Sequence, residues 1–284
     1  MLATVDFGTF LDGTLDQRNI VASKLVESLS SCGFVKLVNH GISLNMIEEA
    51  HRWENFDLGP KDDTHFPNKW TETTLPGFRD FSETKFYDVC QNLCLQIMIA
   101  FELAYKLPKN MLVERCSPPA SEIRYNYYPA ATVGRLRNGQ TQRGWPHTDF
   151  GLITLVFQDT RGGLEYEDRD HLGTFLPLQR ATEDEIAVNI SDTFQRWSND
   201  LFLAGVHQVN IPQHLALKDE NEGMIVPERF STVFFFKASR ESMVGSLAPF
   251  VSDTTPACYE DISALEFQKR MTMILVRCKE KGEK

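Results

Sequence analysis

The sequence predicts an α+β fold in which a β-rich core follows a mostly helical N-terminal region. Apolar residues recur at helical spacing before Cys116, whereas short apolar runs separated by turns follow Ser117-Pro118-Pro119. Short strands at this spacing favour an antiparallel barrel or jelly roll over alternating strand–helix units. We therefore expect a helical region over 1–116 that packs on the core, the core itself over 117–260, and a C-terminal helix and tail over 261–284.

Composition is ordinary for a soluble globular protein and argues against several other classes. Of the 284 residues, 42% are hydrophobic and 24% are charged, and the formal net charge is -10. This acidity argues against nucleic acid or an anionic membrane as a partner. The segment 1–12 lacks the features of a secretory signal, and no apolar run reaches the length of a membrane span. Six cysteines without a CxxC pair indicate reduced thiols, so we expect a cytoplasmic protein.

The N-terminal region is predicted to alternate helices with short strands. Apolar spacing predicts helices over 16–31, 43–53 and 82–107, and strands over 4–7 and 34–38. Pro108 ends the long third helix, which is the best candidate to support a sheet from outside. The segment 58–78 carries several Gly and Pro residues and is predicted to be a loop.

The core region is predicted to consist of short strands. In the strand 122–129, Arg124, Asn126 and Tyr128 share one face, and a polar face of this kind usually lines a cavity or solvent. The other predicted strands are 152–157, 164–166, 174–178, 186–190, 206–209 and 229–236. Loops are predicted over 130–144 and 213–228, and a helix over 262–278.

The motif His147-x-Asp149 directly precedes the strand 152–157. Residues two apart on a strand point to the same face, so an imidazole and a carboxylate can aim at one point. With a second His from elsewhere they would form the facial triad of non-heme Fe(II) oxygenases, which leaves three metal positions open. Alone the motif is weak, because a strand-end His in a turn beside a capping Asp gives the same pattern.

Three residues in the second half of the chain complete this pattern. His207 lies on another predicted strand, and a barrel brings distant strands side by side. Arg229 and Ser231 share one face of the strand 229–236. An inward Arg without a carboxylate partner in its own strand is costly unless an anion pairs with it. A substrate carboxylate would suit the planar guanidinium fork, and the Ser231 hydroxyl would add a donor.

The ordered set of motifs resembles the isopenicillin N synthase-like 2-oxoglutarate/Fe(II) dioxygenases. The matching segments are Gly33-Phe34, Asn39-His40-Gly41-Ile42, Asn126-Tyr127-Tyr128-Pro129, His147-x-Asp149, Asn189-Ile190-x-Asp192, Ser198-Asn199, His207 and Arg229-x-Ser231. The similarity covers nearly the whole chain. It implies a double-stranded β-helix core with helices packed outside. The long connection between His207 and Arg229 and the tail 256–267 resemble fungal members, which often act in secondary metabolism.

The resemblance also implies roles for individual residues. His147, Asp149 and His207 would bind Fe(II), and 2-oxoglutarate would chelate the iron. Arg229 and Ser231 would hold the 5-carboxylate of 2-oxoglutarate, assisted by Tyr128 and Asn126. With dioxygen, the cosubstrate would be converted to succinate and carbon dioxide, coupled to hydroxylation, desaturation or ring closure of a small organic substrate. Ascorbate is a possible reductant.

Two departures from the family pattern concern the surroundings of the site. Gln208 stands where Arg is usual after the second His, so a contact behind that ligand differs. The segment 53–78 is short and lacks the usual Phe-Phe-x-Leu-Pro pattern, which points to an unusual entrance. Candidate substrate contacts are Arg124 and four aromatic residues that are equally explained as core, namely Phe150, Trp197, Phe234 and Phe267.

Three other functions fit parts of the pattern. Isopenicillin N synthase and 1-aminocyclopropane-1-carboxylate oxidase share these motifs but use no 2-oxoglutarate, so an oxidase of that kind would release no succinate. A non-catalytic β-barrel binding protein would bind no iron. A zinc hydrolase on a similar barrel would need zinc and ignore Fe(II) and ascorbate. The substrate and the oligomeric state stay open.

Overall fold

The computed structural model describes residues 1–70, 76–216 and 222–281. The strands in these residues are β1 Thr4–Asp6, β2 Phe34–Val38, β3 Phe56–Leu58, β4 Glu122–Tyr128, β5 Ala131–Thr132, β6 Gly144–His147, β7 Ile153–Gln158, β8 Leu164–Glu167, β9 Phe175–Pro177, β10 Ile186–Ile190, β11 His207–Val209, β12 Ile225–Val226 and β13 Arg229–Phe236. The α-helices are α1 Gly8–Asp12, α2 Leu15–Cys32, α3 Leu44–Ala50, α4 Phe78–Asp80, α5 Tyr87–Ala104, α6 Val133–Arg137, α7 Asp192–Trp197, α8 Gln213–Ala216 and α9 Ala264–Lys281. Across these described ranges, none of the helices combines the length and apolar character that crossing a membrane requires.

Most of the strands belong to two sheets. The larger is a mixed sheet of seven strands in the order β1-β2-β10-β7-β13-β4-β3, in which only the β1–β2 pair is parallel. The smaller is antiparallel, in the order β6-β11-β8-β9. The N-terminal region therefore contributes three strands to the large sheet as well as helices around it. The strand prediction for 4–7 and 34–38 is confirmed, and both strands lie at one end of this sheet.

Burial on both faces explains why the central strands have mostly apolar sequences without alternation. Every residue of β7 and β10 is buried, since both strands have neighbours on each side and covered faces. In β13, by contrast, fully buried residues alternate with partly exposed ones over its second half. Helices α2 and α5 pack against each other and cover the large sheet, with Tyr87 of α5 edge-on against Phe234 at 5.3 Å between ring centroids.

Local chemistry fixes the ends of the long helices. Thr14 and Gln17 form a reciprocal capping box at the start of α2, and Gly33 ends it with φ of 80°, a left-handed conformation suited to glycine. The helix predicted over 82–107 begins earlier. It starts with α4, passes through a π-helical turn over Phe81–Phe86, and continues as α5. The Ser82 side chain in this turn hydrogen-bonds the Tyr125 hydroxyl at 2.9 Å.

Two predicted loops contain short regular elements that the sequence pattern does not show. The segment 130–144 holds β5 and α6, and the segment 213–228 holds α8 and β12, although residues 217–221 lie outside the described residues. Strands β5 and β12 pair with each other. The two-residue strands are too short for a periodic signal. They are stabilised by a small apolar cluster of Val133, Ile211 and Val226, which are distant in sequence.

The segment 58–78 is more ordered than a plain loop over its described part, while residues 71–75 lie outside the described residues. Its Trp70 and Phe78 pack with Phe56 of β3 and with Trp53, with ring centroids 4.5–5.5 Å apart. Such contacts stabilise aromatic clusters beyond their burial. This cluster anchors the segment beside β4.

The buried Glu102 of α5 organises the turn that follows the helix. Its carboxylate accepts hydrogen bonds from the backbone N–H groups of Asn110 and Leu112, both at 2.8 Å. We expect Glu102→Ala to lower the free energy of unfolding by about 2 kcal/mol or more, because these donors would lose their partners. Urea denaturation measures the change.

Glu102→Gln is the matched control, because its amide oxygen still accepts one of these bonds. It should cost clearly less than the alanine variant. Equal losses in the two variants would show that the hydrogen bonds to the turn do not contribute as described.

Candidate active site

His147, Asp149 and His207 come together where two strands and a turn meet. His147 ends β6, His207 begins β11, and the two are direct partners across these antiparallel strands. Asp149 lies in the turn between β6 and β7. Their ligand atoms all lie within 4.8 Å of one another, and the carboxylate oxygens are 3.8 Å from His147 Nε2 and 3.9 Å from His207 Nε2. Two atoms less than about 4.2 Å apart can share an ion held at about 2.1 Å.

Backbone carbonyls orient both imidazoles toward the carboxylate. His147 Nδ1 lies 2.7 Å from the carbonyl oxygen of Trp145, and His207 Nδ1 lies 3.0 Å from that of Gly205. A carbonyl can only accept, so each Nδ1 carries the proton and each Nε2 presents its lone pair. This is the tautomer that a metal-binding histidine requires.

The Asp149 carboxylate is buried and held from behind. Its Oδ2 accepts hydrogen bonds from Thr154 Oγ1 at 2.6 Å and from Asn189 Nδ2 at 3.0 Å. Burial opposes ionisation, but His207 and His147 together with these hydrogen bonds outweigh it, so the pKa of Asp149 lies below its usual value. Burial lowers the pKa of His207. An ionised carboxylate beside a neutral imidazole is the form that binds a divalent cation.

Asp192 is a second acidic group close to these three residues. Its backbone N–H donates to the carbonyl oxygen of Asp149 at 2.8 Å. Burial raises the pKa of the Asp192 side chain to about 6, with the Thr148 hydrogen bond opposing and the Asp149 charge adding to the effect. The matched segment Asn189-Ile190-x-Asp192 therefore lies directly behind Asp149.

Arg229 is buried with two of its nitrogen atoms unpaired. The residue is 1% exposed, and its Nε donates to the carbonyl oxygen of Gly162 at 3.0 Å. Nη1 and Nη2 have no hydrogen-bond partner among the described residues. The guanidinium lies 5.0 Å from the centre of the Tyr128 ring. A buried guanidinium edge without a partner is costly, and it fits a carboxylate that binds in a bidentate manner.

The four predicted cosubstrate residues are neighbours across one pair of strands. In the β4–β13 ladder, Arg229 is opposite Tyr128 and Ser231 is opposite Asn126, whose Nδ2 lies 3.4 Å from Ser231 Oγ. Because side chains alternate along a strand, all four point to the same side of the sheet.

A cavity of about 380 Å³ opens beside the histidines and the carboxylate. Its lining includes His147, Asp149, Phe150, Arg124, Glu122, Phe235 and Lys237. Phe235 shares the face of Arg229 and Ser231 on β13, and Arg124 shares that of Asn126 and Tyr128 on β4. One face of the β4–β13 pair therefore runs from Arg229 to the cavity beside His147.

Two of the aromatic residues predicted for the substrate pocket are core residues. Trp197 is fully buried and donates from Nε1 to the carbonyl oxygen of Met243 at 3.0 Å. Phe234 points to the helix side of β13 and packs on Tyr87. Neither side chain is among those that line the cavity beside His147. Phe235 lines the cavity instead, and the two-residue period that groups Arg229 with Ser231 also points to Phe235.

The other two aromatic residues lie nearer the site. Phe150 lines the cavity directly. Phe267 is 8% exposed, lies under the Arg196 guanidinium at 4.9 Å, and reaches only a small adjoining cavity. The sequence pattern does not predict three further residues of the site, Thr154, Glu122 and Lys237, because strand pairing brings each of them there.

Gln208 has its own partner in this chain. Its Nε2 donates to Glu165 Oε2 at 2.7 Å, which joins β11 to β8 directly beside His207. Where the family usually has Arg after the second His, this chain therefore has a neutral amide that hydrogen-bonds a carboxylate on the adjacent strand.

Fold and site together define the class of protein. Two histidines and one carboxylate that leave one side open are typical of non-heme Fe(II) oxygenases. Residues 119–238 match the family model described as the 2OG-Fe(II) oxygenase superfamily.

Similar proteins extend the match over nearly the whole chain. The 2-oxoglutarate-dependent dioxygenase imqE of Aspergillus flavus is 36% identical, over 95% of this chain and 93% of that protein. The proline hydroxylase buaE of Petromyces alliaceus is 33% identical, over 93% and 96%. A full-length Neurospora crassa protein, crystallised in complex with alpha-KG and 5-formyluracil, shares the fold with a TM-score of 0.84 at 24% identity, and 94% of each chain is covered.

The chain belongs to the 2OG-Fe(II) oxygenase superfamily, as its sequence motifs predict. It is an oxidoreductase whose chemistry uses Fe(II), 2-oxoglutarate and dioxygen.

We expect Thr154→Val to weaken Fe(II) binding by about 10- to 100-fold, because Asp149 Oδ2 would lose its shortest hydrogen bond. Valine has nearly the shape of threonine, so the fold should persist. Anaerobic competition with a chromophoric chelator measures the affinity.

Thr232→Val is the matched control, because Thr232 is also fully buried and its hydroxyl has no partner among the described residues. Its iron affinity should equal that of the unmodified protein. The same affinity in both variants would contradict the role given to Thr154.

Proposed function

We propose that His147, Asp149 and His207 hold Fe(II) and that the protein oxidises a small organic molecule at the adjoining cavity. The fixed tautomers of the two imidazoles support this, since both Nε2 atoms are oriented toward Asp149. Thr154 and Asn189 would keep the carboxylate in place while the ion binds. When bound, the iron supplies oxidative chemistry driven by dioxygen and coupled to conversion of 2-oxoglutarate to succinate and carbon dioxide.

The buried Arg229 carries the cosubstrate assignment. We assign its unpaired Nη1 and Nη2 to the 5-carboxylate of 2-oxoglutarate, with the Ser231 hydroxyl as a further donor and with Tyr128 and Asn126 beside them. Three relatives that match nearly the whole chain are 2-oxoglutarate-dependent dioxygenases. This similarity favours 2-oxoglutarate as the cosubstrate over an oxidase that uses none.

Arg143 is a second cation in the same region. Its Nη2 donates to the backbone carbonyl oxygens of Pro129, Val226 and Pro227, whereas its Nε and Nη1 are buried without a partner among the described residues. Burial lowers the pKa of Arg143, and the nearby charge of Arg229 lowers it further. The charges of Arg229 and the half-buried Arg143 repel each other, and an anion between them would offset this repulsion. A dicarboxylate cosubstrate would provide that anion.

We also propose the detailed fold of the core and the metabolic role of the protein. The seven-stranded and four-stranded sheets would form the two sides of a double-stranded β-helix, with the ligands at the junction of β6, β7 and β11. Residues 117–260 would be this core, and β1, β2 and β3 would extend its larger sheet at the two ends. The fungal origin of the similar dioxygenases supports a place in secondary metabolism, and the proline hydroxylase among them supports a substrate of metabolite size.

We expect Arg229→Ala to weaken 2-oxoglutarate binding by at least about 2 kcal/mol, the scale for removing one partner of a buried charge pair. Iron binding should be unchanged, since Arg229 is not among the three ligands. Anaerobic isothermal titration calorimetry of the Fe(II)-loaded protein measures both affinities.

Arg115→Ala is the control, because Arg115 is a half-buried arginine whose guanidinium bonds the Met111 carbonyl in a different part of the fold. It should leave the affinity for 2-oxoglutarate intact. Unchanged binding in Arg229→Ala would remove the cosubstrate assignment.

A further inference from the structure

The wall of the cavity beside the metal ligands carries three charged side chains. Lys237 follows β13 directly, and its Nζ lies 2.7 Å from Oε1 of Glu122, the first residue of β4. Arg124 lies two residues further along β4, on the same face as Glu122. Its guanidinium makes two 2.8 Å hydrogen bonds to Asp57 of β3 and lies 5.6 Å from the centre of the Phe235 ring.

Lys237 is the most enclosed of these three charged side chains, whereas Glu122 and Arg124 are 41% and 50% exposed. The Lys237 side chain is only 13% exposed, and burial lowers the pKa of Lys237 while Glu122 opposes the shift. An ion pair with one partner this exposed contributes little to the stability of a fold. Its position on the wall of a cavity next to the iron ligands therefore favours a role in recognition.

We infer that this wall selects a zwitterionic substrate, a free α-amino acid, whose carboxylate pairs with Lys237 and Arg124 and whose ammonium group pairs with Glu122. The inference rests on the proposed function, because it names the substrate class of the same site. A zwitterion can replace the Lys237–Glu122 contact with two new ones and leave neither charge unpaired. A substrate with a carboxylate alone would leave Glu122 without its cation, and an amine alone would leave Lys237 without its anion.

The size of the cavity agrees with a small ligand. Its volume of about 380 Å³ lies near the lower end of the range of about 300–1,000 Å³ for small-molecule sites. Phe150 and Phe235 provide apolar surface beside the charged wall, as an amino-acid side chain would need.

The test is a screen of the standard L-amino acids with the iron-loaded protein and 2-oxoglutarate, reading succinate release and, in parallel, binding by calorimetry. At least one amino acid should stimulate succinate release, and its N-acetyl and methyl ester derivatives should not. If no standard amino acid binds or stimulates release, or if the blocked derivatives act equally well, the inference is wrong. If amino acids bind but the protein shows no 2-oxoglutarate turnover with any of them, the proposed function fails while the binding site stands.

Two variants separate recognition from a structural role. Lys237→Gln should raise the KM for the amino acid by about tenfold or more, with the KM for 2-oxoglutarate unchanged. Lys36→Gln is the matched control, because Lys36 of β2 is 14% exposed, pairs at 3.0 Å with the buried Glu185 just before β10, and is not among the residues that line the cavity. It should change neither KM. Equal effects of the two variants on the KM for the amino acid would show that the Lys237 pair is only structural.

Discussion

The pairing of β4 with β13 is the interaction on which the site depends. Seven consecutive residue pairs, from Arg229 opposite Tyr128 to Phe235 opposite Glu122, fix the register of these strands. A shift of one residue would separate Arg229, Ser231 and Phe235 of β13 from the face of Asn126 and Tyr128 on β4. The same ladder places the unpaired guanidinium at one end and the charged cavity wall at the other.

The site concentrates charge that the fold alone does not neutralise. Asp149 and Arg229 are both buried, and Arg229 has two nitrogen atoms without a partner among the described residues. Buried charge costs stability unless a counter-charge is present. We infer that the surrounding core, with fully buried strands β7 and β10, supplies the stability that offsets this cost, and that ligands complete the charge pairs.

Much of this arrangement could be predicted from the sequence because the signals are local. His147 and Asp149 lie two residues apart before a strong strand, and Arg229 and Ser231 alternate along another, so strand periodicity alone groups them. The same period should have selected Phe235 over Phe234. The grouping of His207 with the other two ligands rests on the predicted barrel and on the family resemblance, because nothing local joins strands so distant in sequence.

Other features could not be predicted because they arise from contacts between distant segments. Thr154 bonds Asp149 across a turn, and Lys237 meets Glu122 only after two strands pair. The short strands β5 and β12 carry no periodic signal of their own and exist because they pair with each other.

The most direct test of the account is an anaerobic titration of the purified protein with Fe(II) and then with 2-oxoglutarate, followed by visible absorption. We expect iron to bind first and 2-oxoglutarate then to produce the weak charge-transfer band of its chelate, which should saturate at one cosubstrate per iron. Iron binding without this band would contradict the role of Arg229 and favour an oxidase that uses no 2-oxoglutarate. A protein that binds no iron would contradict the assignment of His147, Asp149 and His207 itself.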